Sequence, residues 1–546
     1  MQKKTMYIAI LALALCLLIL VLSVAAVQQV RTDPLDYVQF RETVGNMTLV
    51  PWEKEGVWYL FLPSHAGPED VQITTAPGVT ATLDEKGTLR VQTPLRNREY
   101  TLEIGQNTNL PTLSLDIEAG TLEYIHSSLD HEKDVFATMT DADGNILLQK
   151  IATISGRGNG TWGGNKRPYN LNFSENISVG PFEDISKLCL LAESYDESKL
   201  RNSLAYFAAQ NLDMDYTTGY MHCNLYVAGE YRGIYGISTK QEYEKHIQRD
   251  GIQAVLEYTG YPKENQFYTF PGLQPIRVLY GDLDETAYVV NDFCAALADQ
   301  DWERCAELVD LRSFAKKYVM DQFFLNYDMT YTSQYFYIDS EGIIHTMLPW
   351  DYDWSMGSVS YYYRIPAPCE EIIARFPEYW SVQMLENPAF RAEIVDVTKI
   401  WYTEEFFQML TNHTEETIEA IAQSLDNDVI RWWGENEMNL YDGTPDREHL
   451  NLLREQFRLY YPRRRDFLIH HFGGGDTPWT NDETVLVYNE PAPVQQEVEE
   501  AIVPVPDSIW MNWGILGGTV LVGLALVGTE LLRHRRKPRK KEKVAL

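Results

Sequence analysis

Gly156-Arg157-Gly158-Asn159-Gly160-Thr161-Trp162-Gly163-Gly164-Asn165-Lys166-Arg167-Pro168-Tyr169 decides the fold class, because a strand is expected on each side of it, Ile151 to Ser155 before and Tyr169 to Phe173 after. Gly158-x-Gly160-x-x-Gly163 matches a phosphate-loop pattern, in which glycines let backbone N–H groups approach phosphate oxygens. A dinucleotide-binding fold would follow such a loop with a helix. Two flanking strands suit a hairpin folded over phosphates instead, with Lys166 and Arg157 supplying the positive charge. Read alone, the run fits a glycine-rich turn with solvated bases equally well.

A second stretch, Asn326-Tyr327-Asp328-Met329-Thr330-Tyr331-Thr332-Ser333-Gln334-Tyr335-Phe336-Tyr337, ends a helix, turns on an acidic residue and begins a strand. Leu348-Pro349-Trp350-Asp351-Tyr352-Asp353-Trp354-Ser355-Met356-Gly357 follows it. Phosphoryl transfer needs one carboxylate to orient or deprotonate the attacking hydroxyl and another to hold a divalent metal against the nucleotide phosphates. Asp328 and Asp351 stand in the right order to divide those tasks, although a lone Asp in a turn is ordinarily a cap.

The longer run resembles the CotH kinase family, named for a spore coat kinase. Arg157-Gly158-Asn159-Gly160-Thr161-Trp162 followed by Lys166-Arg167-Pro168-Tyr169 is similar to the family's opening motif. Asp196-Glu197-Ser198-Lys199-Leu200-Arg201-Asn202 and the hairpin Leu225 to Tyr235 match the next two motifs. Asn387-Pro388-Ala389-Phe390-Arg391 and the helix bearing Arg463, Arg464 and Arg465 fit the tail. The resemblance covers about residues 120 to 472, and it implies a divergent kinase-like fold that uses ATP and Mg2+ or Mn2+ to phosphorylate protein hydroxyls. It also implies roles: Asp328 as the catalytic acid, Asp351 with Asp353 on the metal, and Lys166, Arg157 and Arg201 towards the nucleotide. Two positions depart from the pattern. Ser333 replaces an Asn that helps hold metal, and Thr239 stands where a Glu is usual, with Glu242 a few residues on.

The rest of the chain frames this domain. At 45% hydrophobic, 546 residues can bury a large core and divide into several domains. Residues 28–120 read as short strands with turn signals, a β-sandwich-like accessory module. Residues 121–472 read as mixed α and β with an almost purely helical tail, and 473–508 as an acidic, proline-bearing linker. Residues 1–27 read as a signal anchor or signal peptide, 509–529 as a transmembrane helix and 530–546 as a basic cytoplasmic tail. The expected fold class is therefore α+β: a divergent kinase-like domain with a helical C-terminal part, preceded by the β module and flanked by two transmembrane segments. The expected location is the cell membrane with the body outside the cytoplasm.

A net charge of -32 argues against nucleic-acid binding. The expected partners are protein acceptors at a cell surface or spore coat, and the membrane through the terminal segments. Apart from Cys16, the cysteines are Cys189, Cys223, Cys294, Cys305 and Cys369. Their irregular spacing argues for buried thiols, with Cys294 and Cys305 the one pair placed to bridge neighbouring segments. Two functional classes follow, an active protein kinase and a pseudokinase or surface adhesin that keeps the fold for binding. Ser333 and Thr239 favour the second.

Overall fold

The computed structural model describes residues 33–473, apart from 119, 240–243, 245–246, 262–263, 270–274, 360–361, 364–368, 374–378 and 433–446. Alternation of buried and exposed side chains makes its centre. Val135, Ala137 and Met139 point inward from one strand, Ala152 and Ile154 from the next, and Tyr169, Leu171 and Phe173 from the third. This is the period of two that buries one face of a strand. These strands belong to a closed seven-stranded barrel, in the order Glu132–Thr140, Ile146–Gly156, Tyr169–Val179, Phe182–Leu191, Glu230–Ser238, Met221–Val227, Thr112–Asp116. Thr112–Asp116 closes it, antiparallel to Glu132–Thr140 and parallel to Met221–Val227. Leu113 and Leu115 of that strand are fully buried in the barrel core.

Before the barrel, a three-stranded sheet and a five-stranded sheet share one core, with Phe40 and Leu49 from the first facing Leu60, Leu89 and Leu102 from the second. Tyr226 and Tyr231 of the barrel complete that core. After the barrel, a five-stranded antiparallel sheet runs Gln266–Tyr268, Pro275–Tyr280, Ala254–Tyr258, Gln334–Ile338, Ile344–Met347. Helices Leu283–Ala298, Leu311–Phe324, Pro388–Trp401 and Arg447–Gly473 pack with it into the largest core.

One helix joins the two halves. Glu404–Trp432 begins among the C-terminal helices and ends against the strand Glu230–Ser238. Near that end Asn427 Nδ2 donates to Gln106 O (3.1 Å) and Asn107 Oδ1 (2.9 Å), which ties the N-terminal sheets to the same helix. The expected helical tail is divided here into Pro388–Trp401 and Glu404–Trp432. The break falls at Tyr402-Thr403, where the Thr403 hydroxyl accepts the Phe406 N–H and caps the new helix.

The α+β class holds, and the rest of the expected fold class is corrected in two respects. The barrel takes its closing strand, Thr112–Asp116, from within the stretch read as an accessory module. Among the described residues no helix is long and apolar enough to cross a membrane, so the flanking transmembrane segments and the membrane location find no support. Among the described residues the longest helix, 29 residues, has the length but alternates Glu404, Glu405, Glu415, Glu416 and Glu419 with its buried apolar positions, and it buries Asp428 and Arg431 near its end. The two terminal apolar segments, the linker and Glu242 lie outside the described residues. All five cysteines from Cys189 onward are buried and free, Cys294 and Cys305 included.

Candidate active site

The glycine-rich run forms the tip of a hairpin, as its flanking strands require. Gly156 ends one strand opposite Tyr169, which begins the next. Between them the chain turns through Gly158 at φ +90 and a short 3-10 turn at Gly160–Gly163. Gly156 has no room for a side chain, since a Cβ there would lie 2.2 Å from the Trp162 ring. The Arg167 guanidinium lies over the Trp162 ring, 4.9 Å from its centroid.

Under this tip opens a cavity of about 580 Å³. Gly158, Asn159 and Gly160 roof it, Asn170, Asn172, Lys187 and Cys189 of the barrel form one wall, and Glu257, Tyr261 and Arg277 of the C-terminal sheet form the other. Asp328, Ser333, Asp351 and Asp353 face into it between the walls.

Asp328 is placed by the end of the helix Leu311–Phe324. Leu325 takes the left-handed conformation (φ 48) that stops the helix. Asn326 then folds back, its Nδ2 donating to Asp321 Oδ1 (3.1 Å) and its Oδ1 accepting the Asp328 N–H (3.1 Å). Asp321 is itself fixed by Lys317 Nζ (2.5 Å) and the Tyr352 hydroxyl (2.7 Å), all buried. Tyr352 lies between Asp351 and Asp353, so a single buried network positions both acidic loops.

Backbone bonds weld those loops together. The Tyr327 N–H donates to Trp354 O (3.0 Å) and the Met356 N–H to Phe324 O (2.8 Å). Asp351 and Ser333 both have positive φ, 67 and 56, an uncommon state for side chains other than glycine that concentrates at functional sites. The Ser333 hydroxyl donates to Asp351 Oδ2 (2.9 Å). The helix Arg201–Asn211 supports the Asp351 loop from behind: Asn202 Oδ1 accepts the Tyr352 N–H (2.7 Å) and the Tyr206 hydroxyl accepts the Asp351 N–H (3.2 Å).

Negative charge gathers here. Burial, then the carboxylates of Asp351, Glu193, Asp328 and Asp196, push the Asp353 carboxyl well above its ordinary range. Glu193 was not singled out from the sequence, yet it lines the same cavity. Its carboxylate accepts Asn202 Nδ2 (3.1 and 3.2 Å) and the Tyr220 hydroxyl (2.9 Å), and burial with nearby Asp196 pushes it up to about 7. Crowded hard-oxygen ligands of this kind suit a divalent cation such as Mg2+. Among the described residues no three His, Cys, Asp or Glu side chains converge to hold a metal by themselves.

The three basic candidates part company. Arg157 lines the cavity, its guanidinium 5.5 Å from the centroid of Trp350. Arg201 is fully buried behind the cavity, paired with Asp196 and donating through Nε to Ser355 O (2.8 Å), so it shapes the loop that follows Asp351 without reaching the cavity. Lys166 also stays out of the cavity. It is 1% exposed, and its Nζ donates to Ile234 O (2.7 Å) and Asp428 Oδ1 (2.5 Å). Burial brings that ammonium down to about 8 in spite of Asp428. Thr239 is buried at the end of a barrel strand, its N–H donating to Thr218 Oγ1 (3.2 Å).

The profile of the family described as CotH kinase protein matches residues 154–457, more than half of the chain and the part that carries every wall of this cavity. No curated protein matches the chain.

Proposed function

The chain belongs to the CotH kinase family, and from that membership we propose that it transfers the terminal phosphoryl group of ATP, with Mg2+ or Mn2+, to Ser or Thr hydroxyls of acceptor proteins. The observation that carries this reading is the opening of Asp328 and Asp351, from two loops bonded to each other, into one cavity beneath a glycine-rich hairpin. Asp328 accepts the acceptor's hydroxyl hydrogen and takes that proton as oxygen attacks the terminal phosphorus, while the bond from phosphorus to the departing nucleoside diphosphate breaks. Backbone N–H groups of the Gly158–Gly160 turn and the Arg157 guanidinium favour the phosphate charge. Asp351 and Asp353 would hold the cation, with Ser333 beside them. When bound, it neutralises charge between the phosphates. An acceptor is a protein and not a nucleic acid, because a chain of net charge -32 repels a polyanion.

One observation favours a binding-only reading on the same fold. The Ser333 hydroxyl spends its proton on Asp351 Oδ2 where the family has an amide, and a hydroxyl is the poorer metal ligand. The two readings separate on incubation of the purified chain with γ-labelled ATP, with and without Mg2+ or Mn2+. Metal-dependent label on protein hydroxyls supports the kinase. Nucleotide binding without any transfer, under either metal and with a panel of acceptor proteins, leaves the binding-only protein.

A further inference from the structure

We propose that Lys187, rather than Lys166, is the lysine that holds the nucleotide's phosphates; this rests on the kinase reading above. With Lys166 committed to Asp428 and Ile234 O, the bases that line the cavity are Arg157, Lys187 and Arg277. Arg277 belongs to the sheet wall, its Nη1 3.4 Å from Glu257 Oε2. Lys187 belongs to the barrel wall, on Phe182–Leu191, the strand that follows the glycine-rich hairpin. A kinase whose glycine-rich loop joins its first two strands carries its phosphate-binding lysine on the third, and Phe182–Leu191 holds that place relative to the hairpin here.

The register fixes the face on which Lys187 lies. Lys187 pairs directly with Asn172, and Cys189 with Asn170. Directly opposed residues of an antiparallel pair share a face, and all four of these line the cavity. Two amides, a thiol and one ammonium therefore make up this patch of the barrel wall. Asp328, Asp351 and Asp353 line the same cavity, so a triphosphate approaching those carboxylates needs cations from the barrel side. Lys187 is available for that. Its contact with Glu244 Oε1 is long, 3.4 Å, and both side chains are more than 40% exposed, a weakly held pair that a phosphate group can displace.

The register also supplies the test. The affinities of the full chain for Mg2+–ATP and for adenosine are measured for the wild type, Lys187→Met and the exchange Asn172→Lys with Lys187→Asn. Loss of a charge-assisted contact should weaken ATP roughly tenfold or more and leave adenosine unchanged. The exchange should restore most of the ATP affinity, since a lysine at 172 rises from the same face one strand away. Unchanged ATP affinity in Lys187→Met overturns the assignment, as does an equal loss for adenosine or an exchange that binds no better than Lys187→Met. A wild type that binds no ATP with any divalent metal is a separate result and removes the kinase reading beneath it.

Discussion

Asp428→Ala should unfold the joint between the long helix and the barrel, and it should do so in a pH-dependent way. Asp428 is 3% exposed and accepts Lys166 Nζ at 2.5 Å and the Ile234 N–H at 2.8 Å, with Lys199 Nζ at 3.5 Å from its other oxygen. The fit is close enough that Gly233 admits no side chain, a Cβ there lying 2.1 Å from Asp428 Oδ1. Although burial opposes it, the two ammonium groups hold the Asp428 carboxyl below its usual range. Removing one partner of a buried pair leaves an uncompensated charge and costs about 3–5 kcal/mol, a fifth or more of a stability of about 5–15 kcal/mol. Lys166 sets the pH signature. The unfolded chain keeps that proton to 10.5, the folded one only to about 8, so between those values the unfolded state binds more protons and stability rises with pH. Without Asp428 the folded value falls further and the window opens lower, so the deficit at pH 7 should shrink by pH 9.5. Urea unfolding followed by circular dichroism at the two pH values measures both effects. A loss under about 1 kcal/mol, the size expected of an exposed pair, or a deficit that does not change with pH, would refute the reasoning.

A chain beginning at residue 121 should lose cooperative unfolding, whereas one beginning at 33 keeps it, because the first lacks the barrel-closing strand and its buried Leu113 and Leu115; thermal melts compare them. Ser333→Asn should lower the metal concentration needed for transfer, since Asn tolerates the positive φ of that position better than most residues and offers metal a carbonyl oxygen; a metal titration of activity that shifts upward contradicts this. His345 lies 3.2 Å from Asp310 and 3.0 Å from Asp339. Burial alone would lower its pKa, and the two carboxylates outweigh that and raise it. Its contribution should therefore be complete below the ordinary value of 6.5 and fade as pH rises through the folded value, while the depressed pKa values of Asp310 and Asp339 make theirs complete above 3.8 and lost in acid. The melting-point gap between wild type and His345→Gln should be widest between those two pH values.

Much of the site was legible because it is local. The Gly158-x-Gly160-x-x-Gly163 spacing and its flanking strands announce a hairpin over a short turn, and the helix, acidic turn and strand around Asp328 follow one another in the chain. What escaped depends on distance. The pairing of Thr112–Asp116 with Met221–Val227 joins segments more than a hundred residues apart, and nothing in five residues of alternating hydrophobicity names a parallel partner. Lys166 sits beside the glycine run in sequence, yet its partner Asp428 is 262 residues away, so adjacency to the loop misdirects. Glu193 and Lys187 have no motif of their own. Only the register of Phe182–Leu191 and the fold of the chain beyond it turn them towards the cavity.

The division of labour between Asp328 and Asp351 is tested most directly by one pair of variants, Asp328→Asn and Asp351→Asn, assayed side by side for transfer of label from γ-labelled ATP and for metal-dependent ATP binding. Both should abolish transfer. Asp328→Asn should bind Mg2+–ATP as the wild type does, because it removes the group that takes the acceptor's proton, whereas Asp351→Asn should lose the dependence of ATP binding on metal. Label transferred by Asp328→Asn at the wild-type rate would contradict the assignment.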